Sequence, residues 1–79
     1  MSIYFYQLIL YGVDKISVLK LIYAFEKDAK AELYRLKEQL RQNEKIFEPD
    51  PSKEISGIKL VNLENIVDVQ TRWDCLLNV

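Results

Sequence analysis

The chain has no histidine, one cysteine, two glycines and two prolines in 79 residues. Each scarcity removes a class of chemistry. Without histidine there is no imidazole general base, no Ser-His-Asp triad and no zinc site of mixed Cys and His ligands. The glycines, Gly12 and Gly57, are too few for a Walker loop or a dinucleotide fingerprint. A lone Cys75 excludes an internal disulfide and suits a reducing compartment. The expectation is a protein that is not an enzyme and has no cofactor and no metal.

An excess of either charge and a long apolar run are missing too. Eleven Lys and Arg against 12 Asp and Glu leave a net charge of −1, which selects no partner class by itself. Ile3 to Tyr11 is apolar but far too short to cross a bilayer, and no basic region precedes it. Cytoplasm, with no membrane partner, is the resulting expectation.

The residues present, 49% hydrophobic and 29% charged, are those of an ordinary globular domain rather than a disordered or fibrous chain. A single domain of this length buries a modest share of its surface, so a second copy of the chain is an expected source of further burial.

Residues 2–11 (SIYFYQLILY) read as a strand whose two alternating sets are both largely apolar, Ile3, Phe5 and Ile9 against Tyr4, Tyr6, Leu8 and Leu10. One helix covers one face of a small sheet, so the other face of this strand calls for a partner or a second copy. Residues 15–45 lack Pro and Gly and carry Leu19, Ile22, Phe25, Ala29, Leu33, Leu36 and Leu40 at spacings of three and four, which predicts one long amphipathic helix. Asp14 would be its N-cap, and Asn43 would close it near Gln42 to Lys45. The start of that segment, Ile16 to Phe25, is apolar almost all round the helical wheel. It also fits a second strand paired with the first through a turn at Tyr11 to Lys15. Its unbroken join to the Ala-, Leu-, Glu- and Lys-rich residues from Glu26 onward favours the helix.

Pro49 and Pro51 mark 46–57 as a loop, and the period-two pattern of 58–74 predicts a hairpin turning at Glu64 and Asn65. In its second strand Val67, Val69, Thr71 and Trp73 form the inward set, with Trp73 as a core anchor. The fold expected is α+β: a small β-α-β-β domain with one long helix packed across a three-stranded, largely antiparallel sheet.

The candidate interaction residues lie on two surfaces. Lys30, Tyr34, Lys37 and Arg41, with Lys27 and Lys45, form a basic stripe beside the apolar face of the helix; Tyr4, Tyr6 and Trp73 belong to the sheet. Such a stripe suits a phosphate backbone or an acidic protein surface, although Glu26 with Lys30 and Glu38 with Arg41 stand at ion-pair spacing. Glu48, Asp50 and Glu54 could face a hard cation only in a spacing that matches no calcium loop. Gly12, Lys15, Ile16, Val18, Leu19, Lys20 and Ile22 resemble the strand-to-helix entry of the C-terminal domain of the bacterial ribosomal stalk protein. That resemblance implies a translation-factor contact through Lys15 and Lys20. It stops at Tyr23, where the family has arginine, lacks the family's Gly-Leu-Gly turn after the helix, and establishes no membership.

The function these residues lead one to expect is that of a small non-catalytic protein-binding or regulatory protein, an adaptor or inhibitor acting through apolar sheet surface and edge strands. Its expected partners are a second copy, as a dimer, and a larger protein. A nucleic-acid binder using the basic stripe is the alternative, against which weighs the acidic excess after Lys45.

Overall fold

In the computed structural model the backbone is described for residues 2–78 and the side chains for residues 4–73. The elements run β1 (Ser2–Gly12), β2 (Ser17–Tyr23), α1 (Glu26–Arg41), β3 (Ile46–Phe47), β4 (Val61–Asn62) and β5 (Ile66–Asn78). β1 is the centre of a three-stranded antiparallel sheet in the order β2-β1-β5, and β3 pairs with β4 in a separate two-stranded ribbon. One helix on one face of an antiparallel sheet is the α+β class that the sequence leads one to expect.

Its element order differs from that expectation. The helix of 15–45 is a strand, β2, followed by a helix of about half that length, α1. The reason is long-range pairing. As a strand, SVLKLIY sets Leu19, Leu21 and Tyr23 opposite Leu10, Leu8 and Tyr6, so apolar residues meet across the ladder. A short connection makes the pairing local. Gly12 donates its N–H to the Ile16 carbonyl (3.1 Å) and accepts from Lys15 N–H (2.9 Å), while Lys15 turns the chain at φ 65°. Asp14 caps no helix: its Oδ1 accepts from Ile16 N–H at 3.1 Å within this turn. The residues that resemble the stalk-protein helix entry are therefore a hairpin turn and a strand.

The helix begins after Phe25 without a side-chain cap, and Glu26 and Asp28 place negative charge in its first turn. Its end follows the sequence reading more closely. Asn43 sits at φ 58°, its N–H donates to the Leu40 carbonyl (3.2 Å), and Glu44 N–H donates to the Gln39 carbonyl (3.0 Å). These bonds satisfy carbonyls that the last turn leaves open, in the manner of a Schellman cap.

Leu8, Leu10, Leu21 and Tyr23 from β1 and β2, Ala29 and Leu36 from α1, and Phe47, Val61, Leu63, Ile66 and Val69 from the rest form one buried core. Leu33 and Leu40 pack against it, as the helical wheel requires, whereas Phe25 is exposed. On the opposite face of β1, Ile9 is only 2% exposed within the single chain. Its ladder neighbours are Lys20 and Gln70, and the Gln70 amide donates to Asp68 Oδ2 at 3.2 Å.

The hairpin of 58–74 is also replaced. Val61 and Asn62 pair with Phe47 and Ile46, and the strand after the turn pairs with β1. Phe47, Val61 and Leu63 are all buried, so this ribbon supplies core that a 64–65 hairpin would have left beside the sheet. The tail after Trp73 extends β5 up to Asn78; the Cys75 thiol lies outside the described side chains. Among the described residues no helix is long and apolar enough to cross a membrane.

Candidate functional site

The helix has two flanks, and they meet different surroundings. On one, Arg35 Nη2 donates to Glu32 Oε2 (2.7 Å) and to the Glu48 carbonyl, and its guanidinium lies 4.7 Å from the centre of the Phe47 ring. Glu32 Oε2 also accepts from Asp50 N–H at 3.3 Å. The 46–57 segment is thereby held to the helix, and it continues to the sheet, where Ile55 N–H donates to the Ile22 carbonyl (2.8 Å) and Glu54 bridges Tyr23. Tyr23 hydroxyl is buried there with no hydrogen-bond partner among the described residues. Burial, with Glu32 and Glu54 nearby, pushes its pKa well above the usual tyrosine value.

The acidic residues of this segment have structural occupations. Asp50 accepts from Ser52 N–H (3.0 Å) and Ser52 Oγ (2.7 Å), which holds its carboxyl below the ordinary range. Glu54 accepts from Ser56 N–H at 2.7 Å. Among the described residues no three carboxylates gather at one point.

The other flank stays open. Lys30, with Glu26 and Ala29, stands over Thr71, Arg72 and Trp73 around a hollow of about 180 Å³, which Tyr6 also lines. Lys37, Leu40 and Arg41 stand over Val67, Asp68 and Val69 around a second hollow of about 360 Å³. The basic stripe therefore runs along β5, whose outer edge pairs with no other strand among the described residues. Tyr34 projects from the stripe's outer side, largely exposed.

Two of the stripe's cations have helical partners. Lys30 Nζ lies 2.8 Å from Glu26 Oε1, a hydrogen bond that holds the ammonium pKa above its ordinary value. Arg41 Nε donates to Glu38 Oε2 at 3.1 Å and its Nη2 to Oε1 of the same carboxylate, which lowers the Glu38 pKa. Exposed pairs of this kind contribute little to stability. Lys37 has no carboxylate partner among the described residues.

Trp73 is not the core anchor that its alternation predicts. It does lie on the helix-side face, opposite Tyr6, but at the end of the sheet where α1 begins, and it is 62% exposed. Its ring meets Tyr4 edge to face, centroids 5.2 Å apart at 69°, with Tyr4 itself 48% exposed. Tyr4, Tyr6, Lys30 and Trp73 are thus brought to one end of the open flank, and Lys37 and Arg41 to the other.

No family model, no curated protein and no solved structure matches the chain. The geometry therefore carries the functional reading alone.

Sequence reasoning missed the residues that line the hollows from β5, Val67, Asp68, Val69, Thr71 and Arg72, and Glu26, Ala29 and Leu40 from α1. Val67 sits in a bulge, since Gly12 pairs with Ile66 and Tyr11 with Asp68, and is exposed rather than inward. The apolar Ile66 and Val67 at the start of a period-two run, one more than strict alternation allows, were the available signal. Nothing in the sequence marks Thr71 and Arg72 as lining a groove, because that depends on where α1 crosses β5.

Proposed function

We propose that this is a non-catalytic protein-binding module that engages a larger protein through the free edge of β5. The observation that carries the reading is that edge itself. Among the described residues β5 runs from Ile66 to Asn78 with β1 on one side only, its Asp68, Arg72 and Asp74 charges and terminal bulges leave the 68–75 run continuously extended, and its exposed Trp73 packs on Tyr4 of β1 at one end. A long edge strand presents unpaired N–H and C=O groups, and natural proteins blunt such edges unless they are used. The functional role that follows is that of an adaptor or inhibitor that covers a surface, acting in the cytoplasm.

Amide hydrogen exchange tests the edge directly. In the free protein the outward N–H groups of 68–75, apart from Val69, whose N–H donates to Asp68 Oδ1 at 2.8 Å, should exchange quickly, and binding of the physiological partner should slow them more than any others. Protection confined to a different element would overturn the reading.

A dimer is proposed as the resting state, by way of the β1–β2 hairpin. Val13, Ile16 and Val18 are all exposed around that turn, more apolar surface than one hairpin tip ordinarily leaves in water. Light scattering at micromolar concentration should give twice the chain mass, falling toward the monomer for Ile16→Lys with Val18→Lys. A monomer at every concentration contradicts this part.

A further inference from the structure

We propose that the natural occupant of the β5 edge is an extended acidic segment of the partner, added to the sheet beside β5 and under the basic flank of α1. This rests on the protein-binding reading above and names the chemistry of what is bound.

From Tyr4↔Cys75 to Tyr11↔Asp68 the β1–β5 register is unbroken, with bulges only beyond its two ends. Every second residue of that run turns its N–H and C=O away from β1, a ladder for an added strand in which Val69 N–H, already donating to Asp68 Oδ1 at 2.8 Å, would have to change partner. An added strand would direct alternate side chains toward the helix. There they meet Lys30, Lys37 and Arg41, which with Arg72 of β5 give the groove four cations against two acidic residues lining it, Glu26 of α1 and Asp68 of β5. The Glu26 and Glu38 pairs are exposed, so Lys30 and Arg41 can exchange partners at little cost. Carboxylates at alternate positions of the incoming strand fit this flank. At the far end the hollow between Tyr6, Ala29, Thr71 and Trp73 suits one apolar or aromatic side chain.

The same charges argue against a second copy at this edge. Antiparallel pairing of β5 with itself requires a two-fold axis normal to the sheet, which places both helices on the same face with their open flanks turned toward each other. With strands about 4.8 Å apart and helices about 10–12 Å wide, Lys30, Lys37 and Arg41 would meet their own copies. An acidic strand neutralises what self-pairing would double.

The test uses the whole chain and labelled peptides of about six residues, a common strand length. One alternates valine with glutamate and ends in tryptophan; a second has lysine for glutamate; a third is the first with alternate backbone nitrogens methylated. Fluorescence anisotropy should show the glutamate peptide binding at least about tenfold more tightly than the lysine peptide, and the methylated one not at all. Lys37→Glu with Arg41→Glu, both exposed and with circular dichroism unchanged, should reverse the charge preference. Equal binding of both unmethylated peptides overturns the acidic occupant while leaving edge docking intact. Failure of every peptide overturns both. If the methylated peptide binds as well as its parent, no strand is added and the proposal fails. It fails too if a short single-stranded RNA binds more tightly than any peptide in a salt-sensitive way. Concentration-dependent protection of 68–75 without peptide would give the edge to a second copy.

Discussion

On one flank of α1, Glu32 and Arg35 are tied by hydrogen bonds to the 46–57 segment; on the other, Lys30, Lys37 and Arg41 look across the edge of β5, beyond which no strand is paired among the described residues. The flanks differ in chemistry as well as cover. The closed one holds a carboxylate and a guanidinium that satisfy backbone groups of a loop, so its charges are consumed in folding. The open one spends its charges on exposed partners within the same helix, or on none. Charge that the fold does not use is available to another molecule, and this is the physical ground for locating recognition on the β5 side.

The stripe shared by both flanks gives the largest expected effect. Leu36 is fully buried, so Leu36→Ala should cost about 2–5 kcal/mol and leave little of a stability that is about 5 kcal/mol for small domains. Leu33, half-buried on the open side, should cost less. If urea denaturation puts Leu36→Ala with the parent, the core assignment is wrong.

High pH should lower the stability of the whole fold through a group on the closed flank. Up to about pH 10, the ordinary tyrosine value, folded and unfolded chains both keep the Tyr23 proton; above it only the unfolded chain releases it, because burial holds the folded pKa higher. Stability should therefore fall as pH rises beyond 10, and Tyr23→Phe should remove most of that fall while changing little at neutral pH. A parent and variant with parallel alkaline profiles would contradict the buried hydroxyl.

A direct contrast comes from one substitution on each flank. Arg35→Ala removes the bond to the Glu48 carbonyl and leaves the buried Glu32 carboxylate with Asp50 N–H alone, an expected loss of about 1–3 kcal/mol. Lys37→Ala should change stability by no more than about 0.5 kcal/mol. Thermal melts of the two variants decide it, and equal shifts would erase the distinction between the flanks.

Between those two magnitudes lies the helix terminus. Asn43→Ala, placing a β-carbon at φ 58°, should cost about 1 kcal/mol, and Asn43→Gly should be neutral or slightly stabilising.

How much of this was legible depended on whether the signal was local. The apolar positions Ala29, Leu33, Leu36 and Leu40, the Asn43 cap, the two ion pairs and the stripe of Lys30, Lys37 and Arg41 follow from spacing within a few residues, and the structure has them all. Ile16 to Tyr23 was not legible in the same way. An apolar run of that length has no period to read, and its turn is made by Lys15 in the left-handed region rather than by an Asn-Gly signal. The pairing of β4 with β3 instead of β5 lies further still from local reach, since sequence neighbours pair by default. Trp73 shows the limit for sites: alternation gave its face correctly, but its exposure is set by where the helix starts above it.

β1 sits at the middle of the sheet yet obtains one of its two neighbours from the far end of the chain, Gly12 meeting Ile66 and Ser2 meeting Asn78. Such pairing closes a long loop before any ladder bond compensates for it, which slows folding relative to a chain built of local contacts alone. Until β5 is paired, β1 keeps one open edge, and Leu8 and Leu10 lack the cover that Val69 and Ile66 give them in the folded core. An open strand edge beside bare apolar residues favours aggregation, so protein concentration during refolding is the hazard this topology creates.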